Sequence, residues 1–281
     1  YDSLAEAPGP LEIYIDSQFD DNGSLSVGEL LIEGQSTEEI LVSTYICHPS
    51  LANDNLSGIL LTACLADELL KQGKLRKSYR FIWVPETIGA IAYCANNEAL
   101  MKQIDHGVVV TTVGGPDAFG YKQSFDTDHV INKLIEQVFS EAEVDFITYP
   151  FNISGSDERQ YSTQGFRINV ATITKGKYYE YPYYHTSKDN LDFVKGEYIA
   201  QSLSLYRMLL EKIDQNVIYQ NLNPHCEVML SKHGLYPELG GAFLPGSNDP
   251  LNMRKWLLFS CDGETPLLDV VERTGFPLRE L

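Results

Sequence analysis

The sequence predicts an α/β protein with three layers, in which a mostly parallel central sheet is covered by helices. Between residues 37 and 215, segments rich in β-branched and aromatic residues alternate with amphipathic segments of helical period. This alternation is typical of repeated β-α units. The chain has 281 residues, 43% of them hydrophobic and 21% charged, which is enough for a large buried core.

Each element follows from its local pattern. Residues 11–15 and 25–32 alternate with period two around the turn residues Asp20-Asp-Asn-Gly23, which predicts a β-hairpin. Apolar β-branched runs predict strands at 40–46, 79–84, 107–113 and 170–174. Amphipathic runs predict helices at 58–72, 88–97, 128–142, 157–164 and 196–214. After residue 214 the chain is rich in turn residues, and amphipathic stretches at 251–260 and 265–273 predict a small helical module, a partial winged helix.

Composition restricts the classes of partner. The net charge is −18, with 21 Lys and Arg against 39 Asp and Glu, which argues against nucleic acid or an anionic membrane as the main partner. No window is apolar enough to span a bilayer, and no basic start precedes an apolar run. Five widely spaced cysteines indicate reduced thiols, so the sequence predicts a cytoplasmic protein. The chain opens without Met, and we expect residues upstream of Tyr1.

The segment between residues 46 and 58 carries the clearest chemical signal. It places His48 and Asp54 in a polar turn between a predicted buried strand and a predicted helix. Open α/β sheets bind ligands at the carboxyl ends of their strands. An imidazole and a carboxylate together suit zinc. Cys47, beside His48, is left open as a small buried hydrophobe, a nucleophile or a further ligand.

Two further strand ends carry candidate residues. Glu86 follows the strand at 79–84 and suits a general base, although an acid at a helix start is also common for its favourable dipole interaction. His185 lies in a loop with five tyrosines, which favours a lined pocket and a ligand role. Asp189 is a candidate to orient that imidazole by a hydrogen bond on the side away from the metal.

A polar loop at residues 152–161 supplies the candidate substrate contacts. Asp157, Arg159 and Tyr161 are the candidates, with Arg159 suited to a carboxylate, although capping of the next helix is the ordinary role of Ser156 or Asp157. The remaining histidines lack evident partners and are interpreted as structural or surface residues: His106, His129, His225 and His233. No P-loop, GxSxG, HExxH or GxGxxG motif occurs.

Five candidates occur along the chain in the order His48, Asp54, Glu86, Asp157 and His185. This order resembles that of the metal-site residues in the zinc exopeptidase superfamily. That superfamily includes aminopeptidases, carboxypeptidase-like enzymes and glutaminyl cyclases. Two motifs resemble more closely the bacterial and archaeal aminopeptidase-like family associated with polysaccharide-biosynthesis gene sets, namely Cys47-His-Pro-Ser-Leu-Ala-Asn-Asp-Asn-Leu-Ser-Gly58 and Pro85-Glu-Thr-Ile-Gly89. The closing Gly234-Leu-Tyr-Pro and Asp262-Gly segments resemble its winged-helix portion. This resemblance implies three regions: 1–35, the tail of an inserted β domain; 36–215, an aminopeptidase-like zinc domain; and 216–281, a linker and partial winged-helix module.

The sequence departs from the dinuclear members of that superfamily at two ligand positions. Thr87 stands where they carry a second acid after the base, and Thr111 or Thr112 stands where they carry an acid near the end of the next strand. The set that remains is His48, Asp54 and His185, and three protein ligands with an open position are typical of catalytic zinc. We therefore expect one zinc ion rather than two.

The resemblance implies a peptidase or amidohydrolase in which Glu86 moves the proton. The expected substrate is a peptide amino terminus or an acylamino group on a sugar precursor. Two alternatives stay open: a non-catalytic metal- or ligand-binding module, and an acyltransferase of the glutaminyl-cyclase type. The sequence also leaves a homo-oligomer open.

Overall fold

The computed structural model describes residues 6–152, 154–236 and 250–281. Seven strands form one mixed sheet, and their bounds are β1 Gly28–Ile32, β2 Glu39–Tyr45, β3 Ser78–Val84, β4 His106–Val109, β5 Phe119–Lys122, β6 Phe146–Tyr149 and β7 Asn169–Lys175. Their spatial order is β1-β3-β2-β4-β7-β5-β6. Strands β3, β2, β4 and β7 are mutually parallel, whereas β1 and β5 run antiparallel to their neighbours β3 and β7.

Eight helices surround or follow the sheet in the described ranges: α1 Ser57–Gln72, α2 Ile88–Asn96, α3 Glu98–Met101, α4 Val130–Glu141, α5 Glu158–Tyr161, α6 Gly196–Gln215, α7 Pro250–Ser260 and α8 Leu267–Thr274. The first five predicted helices are all present, but α5 is a single turn rather than the eight residues expected. A short π-helical turn, Ala52–Leu56, leads into α1.

The three predicted layers are confirmed by how alternate residues of β2 point. Ile40 and Val42 pack into a hydrophobic cluster with α1, α4 and α6, whereas Leu41 packs into a second cluster with α2, α3 and α5. Successive side chains of a strand point to opposite faces, so a strand covered on both faces is apolar throughout. This explains why β2 and β3 were evident in the sequence.

The predicted amino-terminal hairpin is wrong. Residues 11–15 form no strand, and the side chains of Ile13, Tyr14 and Ile15 are exposed. Strand β1 pairs instead with β3, where Ile32 joins the core. The period-two pattern of residues 25–32 correctly indicated a strand, which covers Gly28–Ile32, but it could not identify the partner of that strand.

Two other differences concern the sheet. Strand β4 ends at Val109 rather than at residue 113, although residues 110–113 are still fully buried. Strands β5 and β6 were not expected, because four residues containing Gly or Thr give no clear periodic signal. Both lie on the far side of β7 and extend the sheet toward its second edge.

The carboxyl-terminal module packs against the main sheet domain. Strand β8, Ile218–Gln220, pairs antiparallel with β9, Asp262–Pro266. From α8, Leu268 is fully buried in the cluster that contains α1 and α6, and Glu272 lies 3.1 Å from Lys133 of α4. The turn-rich stretch predicted at 240–250 lies outside the described residues except for Pro250. No helix in the described ranges is long and apolar enough to cross a membrane.

Candidate metal centre

The three predicted ligands meet at the carboxyl end of the sheet. His48 follows β2, Asp54 lies in the π-helical turn before α1, and His185 lies in the loop between β7 and α6. One potential ligand atom from each lies within 4.8 Å of the others. The rings of His48 and His185 are 5.3 Å apart between centroids, and His185 Nε2 is 3.0 Å from Asp54 Oδ2. The structure therefore brings together residues that the sequence separates by more than a hundred positions.

The two carboxylate oxygens of Asp54 have different surroundings. Oδ1 accepts a hydrogen bond from the buried hydroxyl of Tyr45, which is also 2.6 Å from Thr111 Oγ1. Oδ2 is buried and makes no hydrogen bond with any described residue, although His185 lies beside it. A buried anionic oxygen without a donor is costly unless a cation or proton neutralises it. Two imidazoles and this oxygen fit a zinc ion.

Asp189 supports Asp54 rather than His185. Its Oδ1 accepts the backbone N–H of Asn53 at 2.6 Å, and its Oδ2 accepts the N–H of Asp54 at 3.1 Å and the hydroxyl of Tyr181 at 3.0 Å. The expectation that Asp189 orients the imidazole of His185 is therefore corrected: this fully buried carboxylate fixes the backbone that presents Asp54.

The imidazole of His185 is oriented by stacking on an aromatic ring rather than by a hydrogen bond to Asp189. The ring of Tyr184 lies parallel to that of His185, with 3.9 Å between centroids. His185 has a positive φ of 53°, which is uncommon for a residue other than glycine. The imidazole is half-exposed, so this face of the candidate centre is open to solvent.

Glu86, the predicted base, lies beside His48. It follows β3, and its Oε2 lies 3.7 Å from Nε2 of His48. Burial raises the pKa of its carboxyl group, whereas the nearby Ser156 hydroxyl and His48 imidazole oppose that rise. A carboxyl group whose pKa moves upward accepts a proton more readily near neutral pH.

Most of the residues predicted to contact substrate are buried and instead contact other residues of the protein. Tyr161 is fully buried in the cluster beneath α2, where its hydroxyl bonds to Ser43 Oγ at 2.8 Å, so its substrate role is wrong. Asp157 is also fully buried, and its Oδ1 accepts the N–H of Thr87 at 2.7 Å, which holds the turn after Glu86. Arg159 is half-buried and lies 3.4 Å from Thr87 Oγ1. Of the three, only Arg159 keeps a side chain near the surface.

Burial dominates the chemistry of Asp157. It raises the pKa of this carboxyl group to about 7, and the nearby acids Glu86 and Glu158 add to the rise. The Thr87 N–H and the charge of Arg159 oppose it. Asp157 Oδ2 makes no hydrogen bond with any residue in the described part of the chain.

Sequence reasoning missed a buried ion pair under this loop. Lys122 of β5 and Glu158 of α5 are 2.6 Å apart, and both side chains are almost wholly buried. Lys122 also donates to Ser154 O at 2.8 Å, and the hydroxyl of Tyr178 lies 3.4 Å from Glu158 Oε1. A lysine inside a short strand and a glutamate at a helix start gave no signal that they would meet.

A second His-carboxylate group lies away from the candidate centre. Asp105 Oδ2 accepts Nδ1–H of His106 at 2.9 Å and Nε2–H of His129 at 3.0 Å. His129 Nδ1 itself accepts the N–H of Ile131 and so caps α4, which places the ring proton on Nε2. Both imidazoles therefore donate, and hydrogen bonding accounts for the group without a metal. The two histidines are structural, as expected, but they do have partners.

Fold and site together define a protein of the aminopeptidase-like α/β class with a carboxyl-terminal winged-helix region. Residues 16–216 match the family described as "Domain of unknown function (DUF4910)", and the chain belongs to that family. Residues 217–281 match a family described as "winged helix-turn-helix".

Two matches come from Clostridium acetobutylicum. One, named "Putative polysaccharide biosynthesis protein with aminopeptidase-like domain", is 39% identical over 272 residues, which is 96% of this chain and 61% of that protein. A crystal structure of a "putative peptidase" is 36% identical with a TM-score of 0.75, over 90% of this chain and 56% of the other. The chain thus spans about 60% of the relatives it matches.

More distant structures share the fold alone. A zinc aminopeptidase from Bacillus subtilis is 18% identical with a TM-score of 0.56, over 66% of this chain and 49% of its own. The glutaminyl cyclase of Porphyromonas gingivalis is 14% identical with a TM-score of 0.54, over 67% of this chain and 84% of its own. The predicted fold class is confirmed by these likenesses.

Proposed function

We propose that this chain is a hydrolase of the aminopeptidase type that binds one zinc ion and cleaves an amide bond. The observation that carries the proposal is the meeting of His48, Asp54 and His185 around a buried carboxylate oxygen that has no hydrogen-bond donor. These three side chains would hold the metal. When bound, zinc would polarise a carbonyl group and lower the pKa of water.

The residues of the chain supply the proton transfer. Glu86 lies beside His48 and would take a proton from water and return it to the leaving amine. Its raised pKa suits both directions of that transfer. Asp157 holds the Thr87 N–H, and this contact fixes the turn that presents Glu86.

The geometry supports one metal rather than two. Tyr45 donates to Asp54 Oδ1, which leaves only Oδ2 for a cation. Thr87, at the first missing ligand position, gives its N–H to Asp157, and Thr111 contacts the hydroxyl of Tyr45. A carboxylate bridging two metals would need both of its oxygens.

The proposed substrate is a peptide amino terminus or an acylamino group on a sugar precursor. The name of the Clostridium relative refers to polysaccharide biosynthesis, which supports the second class. The half-exposed His185 and its stacked Tyr184 offer an open aromatic face for such a group. All five cysteines are free thiols, in keeping with the proposed cytoplasmic location.

Elemental analysis of purified variants tests the metal site. Wild type and Glu86→Gln should each carry about one equivalent of zinc, and His48→Ala and His185→Ala should lose it. His225→Ala, an exposed histidine outside the centre, is the matched control and should keep it. Full zinc content in both ligand variants would refute the site.

Turnover tests the chemistry separately. A panel of aminoacyl amides and acylamino sugars should show zinc-dependent hydrolysis, and Glu86→Gln should lower kcat by about 100-fold or more. Zinc binding without turnover on the whole panel would favour a binding module. Loss of ammonia from peptides with amino-terminal Gln, seen by mass spectrometry, would instead indicate acyl transfer of the glutaminyl-cyclase type.

A further inference from the structure

The sulfur of Cys47 contacts both halves of the candidate centre. Sγ lies 3.3 Å from Nδ1 of His48, and it accepts the backbone N–H of Glu86 at 3.0 Å. These contacts join the segment after β2 to the turn after β3. The backbone pairing of the two strands continues just before them, since the N–H of Ile46 donates to Val84 O at 3.0 Å.

The position of this sulfur excludes its direct role as a fourth ligand of the described cluster. The atoms that lie within 4.8 Å of one another belong to His48, Asp54 and His185, and Cys47 is outside that group among the described residues. Its contact is instead with Nδ1 of His48. His48 Nε2 is the nitrogen that faces Glu86.

A neutral imidazole can bind a metal only through the nitrogen that carries no proton. If Nδ1 of His48 is protonated and donates to Cys47 Sγ, the lone pair of Nε2 is free to face the centre. If the thiol donated to Nδ1 instead, the ring proton would sit on Nε2 and block it. The N–H of Glu86 donates to the sulfur, and the sulfur can accept the Nδ1 proton of His48 as well.

We propose that Cys47 is a positioning residue, whose sulfur fixes His48 in the Nδ1-protonated form and holds the backbone of Glu86 in register with it. The proposed ligand His48 and the proposed base Glu86 then both contact the same atom, Sγ of Cys47. This inference rests on the proposed zinc site. Metal-binding histidines commonly donate their second ring N–H to an oxygen acceptor, and loss of that partner typically weakens metal binding 10- to 100-fold. Here the acceptor is sulfur.

Zinc affinity is the primary readout, measured by competition with a chromogenic chelator. Cys47→Ala removes the acceptor and should weaken zinc binding by about 10- to 100-fold. Cys47→Ser restores an acceptor on a shorter side chain and should recover most of that loss. Cys64→Ala, a half-buried cysteine on α1 outside the centre, should bind zinc as wild type does.

The tautomer gives a readout that a merely structural cysteine would not change. In zinc-loaded protein with ¹⁵N-labelled histidine, long-range ¹H–¹⁵N spectra should show His48 protonated at Nδ1 in wild type and in Cys47→Ser. In Cys47→Ala the Nδ1–H signal should broaden by exchange with water. Circular dichroism confirms that each variant is folded.

The outcomes separate this inference from the proposed function. If wild type binds one zinc and His48→Ala loses it, but Cys47→Ala keeps the affinity and the Nδ1–H signal of wild type, Cys47 has no positioning role and the zinc site stands. If Cys47→Ala weakens zinc binding and Cys47→Ser does not recover it, acceptance of the Nδ1 proton is not the cause and the inference is likewise overturned. If wild type binds no zinc, both the site and the inference fail.

Discussion

Replacing Asp157 by Asn should change how the stability of the protein depends on pH. The Asp157 carboxyl group is fully buried, and burial raises its pKa from the ordinary 3.8 to about 7. Asn has the same shape and cannot ionise, and its Oδ1 can still accept the N–H of Thr87. The substitution therefore isolates the cost of ionising a carboxyl group at this position.

The sign follows from proton linkage. Because the pKa is higher in the folded state, the folded protein binds this proton more tightly, and the stability that it contributes is lost as pH rises from about 4 through about 7. The rise in pKa corresponds to at most about 4 kcal/mol, at about 1.4 kcal/mol per unit. Wild type and Asp157→Asn should thus have similar free energies of unfolding at pH 4. At pH 8 the variant should be the more stable.

Urea unfolding followed by circular dichroism at several pH values between 4 and 8 measures this difference, with a chelator present so that metal release does not contribute. Asp67→Asn, which replaces an exposed carboxylate on α1, is the matched control and should run parallel to wild type. A constant gap between wild type and Asp157→Asn across the whole range would refute the reasoning, because it would mean that folding does not alter the pKa of Asp157.

Three other substitutions test the surroundings of the site. Lys122→Met leaves the charge of Glu158 buried alone and should cost about 3–5 kcal/mol of unfolding free energy, whereas adding Glu158→Leu should recover much of it; an equally unstable double variant would contradict this. Leu268→Ala should cost about 2–5 kcal/mol, because the side chain fills the main core; a melting temperature equal to that of wild type would show that the carboxyl-terminal module is not packed there. Tyr45→Phe should weaken zinc binding about tenfold in chelator competition while leaving one equivalent bound, because the hydroxyl orients the carboxylate of Asp54; unchanged affinity would argue against that role.

The sequence predicted the structure best where a local pattern of residues has one usual structural meaning. Strands β2 and β3 are apolar on both faces because both faces are covered, and this pattern is local. His48, Asp54, Glu86 and His185 could be selected as polar residues at or after strand ends. His48 and Glu86 then meet because β2 and β3 are parallel neighbours, whereas His185 comes from the loop after β7, which β4 separates from β2.

The failures share a physical origin. Tyr161, Asp157 and Asp189 are polar residues whose partners lie far along the chain, at Ser43, Thr87 and the turn before α1. A polar residue in a loop can face solvent or satisfy buried backbone, and only the tertiary structure decides between these uses. The β-hairpin failed for the same reason, since β1 found its partner in β3.

The winged-helix region illustrates why a domain match does not define a partner. The short helix α8 has its apolar face inside the main core: Leu267 and Leu268 are buried, and the N–H of Leu268 donates to Asn216 at 2.9 Å. A helix anchored in this way has one face committed to its own chain. A net charge of −18 on the whole sequence also disfavours the electrostatic attraction on which DNA binding depends. We therefore propose that this region packs against the sheet domain or contacts protein.

The proposed number of metal ions follows from how donors are distributed around one carboxylate. Tyr45 donates to Oδ1 of Asp54, and Thr111 contacts the same hydroxyl, whereas Oδ2 has no donor among the described residues. The Tyr45 hydroxyl thus lies against Oδ1, and Thr111 would offer a second ion no charged ligand. Backbone support from Asp189 directs the remaining oxygen toward His185. Because Thr87 and Thr111 offer no carboxylate and the Tyr45 hydroxyl already contacts Oδ1, we propose that this site holds a single zinc ion rather than two.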